Sequence, residues 1–298
     1  MGTKFFGKLF DVDETRISVD YFRNDTMYQL ISHAHSDHIQ GYRDDCHYTI
    51  VCTHATKQLL LWLLSNPGSC TFIVLELGKT VDLEGISVTA LPVTHCLGAC
   101  MFLVDGVLYA GDGRDFPLAT IEQFPVSDCY FDSTFLRDNE TPSPPLHAVV
   151  AEMMRYLSMP AFAHHIVFFS TPLPRLGHEI VYRAVYKTFH QRVFVHDLEF
   201  YDLLYWAMGD ASGATDDPTT TRFTTTNGVA RGRAQPVLCV CFQPTYFRKK
   251  PPGTMFEVRE DKVIFNLNFH PGHDEVDALL EATGTSVTNR AYPLVSKK

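Results

Sequence analysis

Short apolar runs recur along this chain, and most of those in its first half stop at a polar residue able to hold a metal ion. Met27 to Ile31 reads as a buried strand and leads straight into His33-Ala34-His35-Ser36-Asp37-His38. Side chains alternate along a strand-like exit. His33 and His35 can therefore converge on one cation, while Asp37 and His38, past a turn, can hold a second. One strand upstream, Arg16 to Val19 ends in Asp20, a candidate support for the histidine loop. Tyr48 to Cys52 reads as a strand, and Thr53 then offers an N-cap to a helix running to about Asn66, where Pro67-Gly68 stops it. Strands are expected at Phe72 to Leu75 and at Ile86 to Leu91, the second delivering Val93-Thr94-His95-Cys96. Met101 to Val104 and Val107 to Ala110 form a hairpin about Asp105-Gly106, and its second strand ends in Gly111-Asp112-Gly113-Arg114. Asp128 to Asp132 repeats the arrangement, an apolar strand ending in an acid.

The composition shifts near Asp138, and Pro142, Pro144 and Pro145 mark a linker. Helical patterns at His147 to Leu157 and His178 to Phe189 alternate with strands at Ile166 to Ser170 and Val193 to His196, which predicts a small α/β lobe. Gly209 to Gly232, rich in Thr, Gly and Asp, reads as a mobile loop. Strands return at Val237 to Phe242 and Val263 to Phe269, the latter ending in His270-Pro271-Gly272-His273. A helix from Asp274 to about Thr283 and a strand at Tyr292 to Val295 follow. The expected organisation is a core in residues 1–137, an insertion in 138–235 and a segment returning to the core in 236–298.

Composition narrows the chemistry. The most apolar run, Leu59 to Leu64, falls far short of the roughly 20 residues a membrane span needs, and the N-terminus predicts no secretory signal. The eight cysteines show no C-x-x-C pair, which argues against a zinc knuckle or a dithiol redox motif; only Cys96, beside His95, is placed to touch a metal. The net charge of −9 offers no general basic surface to phosphate. A nucleic-acid role would need segregated charge, with bound cations and a local Arg/Lys patch reversing the field. The combined ligands His33, His35, Asp37, His38, His95 and Asp112 contain imidazole and carboxylate but no thiolate. That mixture suits zinc, one or two per chain, with manganese or iron as substitutes, and it predicts hydrolysis.

The signature resembles that of the metallo-β-lactamase superfamily. Val19-Asp20-Tyr21, Ile31-Ser32, Thr94-His95-Cys96-Leu97-Gly98, Ala110-Gly111-Asp112-Gly113-Arg114 and Phe131-Asp132-Ser133-Thr134 resemble the successive motifs of its β-CASP nucleases, in particular the Artemis/Apollo-like branch of DNA cross-link repair nucleases. The resemblance implies an α/β fold, an αββα metallo-β-lactamase sandwich with an inserted small α/β (β-CASP) cap. It implies a first metal on His33, His35 and His95, a second on Asp37 and His38, and Asp112 bridging them. Asp132 would lie near the second metal, Asp20 would support the loop, and His270 would face the scissile phosphate as a contact or general acid. Asp37, Asp112, Asp132 and His270 are thus the expected catalytic set, with His178, Arg175, Arg114 and Thr245 toward the substrate. The implied reaction is hydrolysis of DNA, single-stranded or junction-containing, by a hydroxide shared between two metals. The implied setting is a nuclear monomer that does not contact membrane.

Two departures bear on substrate choice. Pro271-Gly272 stands where the family has Ser-Ser, and His178 stands where it often has Lys. Both weaken a pocket for a terminal 5′-phosphate and favour endonuclease action. Three other readings remain open: an RNA-processing nuclease, a hydrolase of small esters, and a nucleic-acid-binding protein with a decayed site.

Overall fold

A computed structural model describes residues 4–6, 9–12, 15–134, 136, 142–170, 176–226, 228, 234–260 and 262–285. The chain is α/β and divides into two compact units, Met1–Asp138 with Phe269–Lys298, and Asn139–Asn268.

The first unit holds two sheets. β1 (Lys4–Phe6), β2 (Leu9–Val12), β3 (Thr15–Val19), β4 (Tyr28–Leu30), β5 (Thr49–Thr53) and β6 (Thr71–Leu75) form one, in that order. The first three strands are antiparallel, and β3 to β6 run parallel. The second sheet is ordered β11 (Asp128–Tyr130), β10 (Val107–Tyr109), β9 (Cys100–Val104), β8 (Ile86–Pro92), β7 (Thr80–Leu83). Inward residues of both sheets make one core, among them Ile17, Leu30, Val51, Val88, Phe102 and Tyr109, all nearly inaccessible. Burying a side chain of this size contributes about 1.5–3 kcal/mol.

The outer faces are covered by helices. Thr53 caps α1 (His54–Leu63), its hydroxyl accepting from Thr56 N at 3.2 Å, and α1 lies against β5 and β6. On the other side Leu91, Met101, Leu103, Leu108 and Cys129 pack with Ile121 of α2 (Leu118–Ile121) and with Val276, Leu279 and Leu280 of the last helix, His273–Thr283. Helix, sheet, sheet, helix is the layering expected. The ligand-bearing loops follow β4, β8, β10 and β11, so one edge of the two sheets gathers them.

The second unit is built on a seven-stranded sheet, Ala214–Thr215, Val193–Phe194, Phe223–Thr224, Ile166–Ser170, Val237–Phe242, Lys262–Phe265 and Phe256–Val258 in spatial order. It is parallel except at its last strand. Phe169 lies between the rings of Phe223 and Phe242, with centroids 6.2 and 6.0 Å away. Tyr156, from the helix Leu146–Leu157, meets Phe256 and Phe265.

Two sequence expectations are corrected here. The segment expected to return to the core at 236 instead contributes Val237–Phe242, Phe256–Val258 and Lys262–Phe265 to this second sheet, because Val237–Phe242 pairs residue for residue with Ile166–Ser170. Only from Phe269 does the chain belong to the first unit. The expected loop at 209–232 contains two short parallel strands, and Phe223 within it is fully buried. The strand expected at 292–295 lies outside the described residues.

Candidate metal centre

β3 and β4 run parallel with Val19 opposite Leu30, so Asp20 leaves its strand beside Ser32. The Asp20 backbone is left-handed (φ 50°), a conformation Asp tolerates better than most residues, and its N–H donates to Leu30 O. Its fully buried carboxylate gathers four groups. Oδ1 accepts from Ser32 N at 2.7 Å, and Oδ2 accepts from Ser32 Oγ at 2.7 Å and Tyr109 Oη at 2.9 Å and lies 2.8 Å from His38 Nδ1.

This hub decides which imidazole nitrogens carry protons. The Ser32 hydroxyl gives its hydrogen to Asp20, so at 2.9 Å it can only accept from His33 Nδ1, which leaves the lone pair of His33 on Nε2. His95 Nδ1 likewise donates to Phe269 O at 3.0 Å and keeps its lone pair on Nε2. These two nitrogens sit 3.0 and 3.1 Å from His35 Nδ1. At most one of the two contacts can carry a proton. Nitrogens bound to one tetrahedral zinc at about 2.0–2.1 Å lie roughly 3.3 Å apart, close to this spacing. The donor set fits a cation, and Cys96 Sγ lies within 4.8 Å of all three nitrogens.

Beside it is a second group. His38 Nε2 faces Asp112 Oδ2 at 3.1 Å and Asp37 Oδ2 at 3.8 Å. Asp112 is buried, and among the described residues its Oδ1 meets no donor, an arrangement that costs free energy unless a cation completes it. Asp112 and Asp132 further cluster with His270. His270 Nδ1 bonds Asp132 Oδ2 at 2.7 Å, while Asp132 Oδ1 is held by Thr134 N and Thr134 Oγ1 at 2.9 and 2.6 Å.

Electrostatics separates the histidines. Burial, aided by neighbouring imidazoles such as His38, holds His33 well below its ordinary value, and burial takes His95 down to about 3. Both therefore offer free lone pairs at neutral pH. For His38 burial acts downward but is outweighed by Asp20 and Asp112, and the group is held well above its ordinary value. His270 is also raised, because Asp132 and Asp112 outweigh its burial.

Residues 27–166 match the family model described as the beta-lactamase superfamily domain. The match takes in just under half of the chain, and the layering is that of the metallo-β-lactamase fold. In sequence it is similar to the protein artemis of Danio rerio, at 24% identity over 226 residues covering 62% of this chain and 35% of that protein. It is similar also to the DNA cross-link repair protein pso2/snm1 of Schizosaccharomyces pombe, at 26% over 204 residues, covering 64% and 36%. The 5′ exonuclease Apollo of Gallus gallus shares 36% over 93 residues, 30% of this chain and 20% of that protein. These matches span about a third or less of the relatives' own lengths. A crystal structure of a protein of unknown function from Enterococcus faecalis superposes with a TM-score of 0.57 at 15% identity, over 89% of this chain and 75% of that one.

Within the first unit the structure brings together His33, His35, Asp37, His38, His95, Asp112, Asp132 and His270, with Asp20 behind them. Arg114, expected toward the substrate, is turned inward instead. Its guanidinium is buried, with Nε 3.2 Å from Glu275 Oε1 and a terminal nitrogen 3.0 Å from Oε2. Glu275 also accepts from Asp115 N and Gly272 N at 3.0 and 3.1 Å. Arg114 thus ties the loop bearing Asp112 to the segment bearing His270. Sequence reasoning places Glu275 in the segment after His270, which resembles the family's His-Ser-Ser-x-x-Glu, but gives it no role; its place at the third position of a helix N-terminus was the available signal.

The glycines of the motifs have steric roles. A Cβ on Gly113 would lie 2.3 Å from Val93 Cγ2, so only glycine lets the His95 and Asp112 loops pair through Thr94 and Arg114. Gly98 O accepts from the hydroxyls of Thr53 and Thr56, which pins the His95 loop to the start of α1.

In the second unit His178 is buried with its ring stacked on Phe242 at 5.2 Å, which corrects its expected placement toward substrate. Thr245 is exposed on the 3₁₀ turn Pro244–Phe247, and Arg175 lies outside the described residues.

Proposed function

We propose that this protein is a metal-dependent nuclease that hydrolyses phosphodiester bonds of DNA, acting on single-stranded or junction-containing substrates in the nucleus. The observation that carries the reading is the convergence of the lone pairs of His33 and His95 on His35, beside the unpartnered buried oxygen of Asp112. Similarity to artemis, Apollo and pso2/snm1 supports DNA as the substrate.

His33, His35 and His95 would hold one divalent cation, Asp37 and His38 a second, and Asp112 would lie between them. Zinc fits these donors, with manganese or iron as substitutes. Bound cations supply a water acidified to near-neutral pKa and positive charge for the developing oxyanion. The protein's own groups orient and protonate. Asp20 locks the His33 and His38 rings through Ser32 and Nδ1. His270, held by Asp132 and 27% exposed, has its protonated form favoured by that carboxylate and would deliver a proton to the leaving oxygen.

The test is incubation of the full chain with zinc or manganese and end-labelled DNA and RNA strands of matched sequence. Wild type should cut DNA, and Asp37→Ala, whose side chain is 42% exposed, should fold normally and lose cutting by at least about a hundredfold. Undiminished cutting by that variant would sink the assignment. Preference for RNA would redirect it.

A further inference from the structure

The polypeptide on either side of the metal loop builds an open cleft of about 430 Å³, within the usual range for ligand sites. Its lining includes Tyr21, Phe22, Arg23, Gly41, Tyr42 and Arg43. Tyr21 directly follows Asp20, and Gly41 and Tyr42 follow His38 closely in the chain. Phe22 N donates to Gln40 O at 2.8 Å, which joins the wall after Asp20 to the loop that carries His33 to His38.

The aromatic walls are rigid. Tyr21 lies against Gly41, where an added Cβ would approach its Cε1 to 2.9 Å and Phe22 O to 2.4 Å; the glycine is also left-handed (φ +83°). With that support behind it, Tyr21 remains 37% exposed. Tyr42 packs edge-on against the buried Phe22 at 5.3 Å, leans on Tyr48 at 5.7 Å, and donates its hydroxyl to Asn66 O at 2.8 Å.

The arginines are held in the same manner. Arg23 forks onto Asp25 at 2.9 and 3.0 Å, and Arg43 onto Asp45 at 3.1 and 2.8 Å. In each case the acid is two residues on. These pairs fix two guanidinium planes; Asp25 also accepts from Arg16 at 2.7 Å, so three guanidiniums share two carboxylates here. The forked arginines already spend their donors on Asp25 and Asp45, whereas a flat, uncharged ring needs only the supported π-faces and guanidinium planes.

Resting on the nuclease reading above, we infer that this cleft, which flanks the loop carrying His33 to His38, is a stacking site for an unpaired nucleobase of the substrate strand. Bases inside a duplex are already stacked, so the cleft selects single-stranded nucleotides. Every base presents a π-face, so it imposes little sequence preference.

The experiment uses the full chain with zinc and phosphorothioate-linked single strands, which resist hydrolysis. Normal and abasic strands of equal length are compared by fluorescence anisotropy. Tyr21→Leu should weaken binding of the base-containing strand roughly five- to one-hundred-fold, Tyr21→Phe should bind like wild type, and the abasic strand should bind wild type and Tyr21→Leu equally. Unchanged binding in Tyr21→Leu, an equal loss on both strands, or no binding of any strand by wild type would overturn the proposal. Cutting of ordinary strands is scored separately. A chain that cuts nothing but shows base-dependent binding through Tyr21 retains the cleft and loses the nuclease reading; a chain that cuts normally as Tyr21→Leu and binds unchanged does the reverse.

Discussion

Replacing Asp20 by Asn tests the logic of the centre without touching a metal donor. Asn has nearly the same shape and also tolerates the left-handed backbone found at φ 50°, so the substitution removes charge while sparing the turn. It removes a charge on which four groups converge: Ser32 N and Ser32 Oγ at 2.7 Å, Tyr109 Oη at 2.9 Å and His38 Nδ1 at 2.8 Å. Three of the four distances are to Oδ2. If the amide nitrogen replaces Oδ2 it faces those three groups; if it replaces Oδ1 it faces the Ser32 N–H. Either orientation sets donor against donor. Breaking one side of a fully buried charged pair costs about 3–5 kcal/mol, and the lost hydrogen bonds lie within that figure. Loss of a partner that orients a metal-binding histidine typically lowers metal affinity about 10–100-fold. Denaturant unfolding of the metal-free protein should therefore show destabilisation of about 3–5 kcal/mol. Competition against a chromophoric chelator should show the affinity loss in the same variant. If Asp20→Asn unfolds at the wild-type midpoint and binds metal with wild-type affinity, the assignment of the proton to His33 Nδ1 and the pairing of Asp20 with His38 are wrong.

Metal affinity should fall as pH falls, and unequally at the two sites. His38 is held above its ordinary value by Asp20 and Asp112 against its burial, so its Nε2 proton competes with the second cation; below that raised value each pH unit should cost about tenfold in affinity. His95, at about 3, and His33, also lowered, impose no such competition near neutrality, so a titration with chelator between about pH 5.5 and 8 should strip one equivalent first. In the metal-free protein the sign reverses for stability. The protonated His38 stabilises the fold below the unfolded value near 6.5, and that contribution is lost as pH rises through the raised one. Glu275→Gln should destabilise by about 3–5 kcal/mol because it leaves Arg114 buried without its counter-charge, and it should lower the cutting rate through a displaced His270 while metal content stays at the wild-type level. Thermal melts, metal analysis and rate measurements check these together, and an unchanged melting temperature would refute the pairing as a structural tie.

What the sequence made legible, and what it did not, follows from the range of each interaction. The metal loop is a local event: alternation behind Met27–Ile31 aims His33 and His35, and the hairpin at Asp105-Gly106 and the cap at Thr53 likewise need only neighbours in the chain. Arg114 shows the opposite case. An arginine beside a candidate ligand reads as a phosphate contact until Glu275, 161 residues away, is seen to close on it. Strand periodicity cannot say which sheet a strand joins. Val237–Phe242 is apolar enough for either unit, and only its pairing with Ile166–Ser170 assigns it to the second. Two-residue strands such as Phe223–Thr224 are too short for any period to register, although Phe223 is a core residue. The same reasoning separates parts of the candidate site. Donors to a cation must be His, Asp or a few other types, so residue identity alone nominates them. The groups that fix their protons, Ser32, Tyr109 and the carbonyl of Phe269, are ordinary residues whose role exists only once β3, β4 and β10 and the segment after residue 268 have been brought together. A candidate metal-binding histidine is therefore readable in one dimension, whereas its tautomer is a property of the fold.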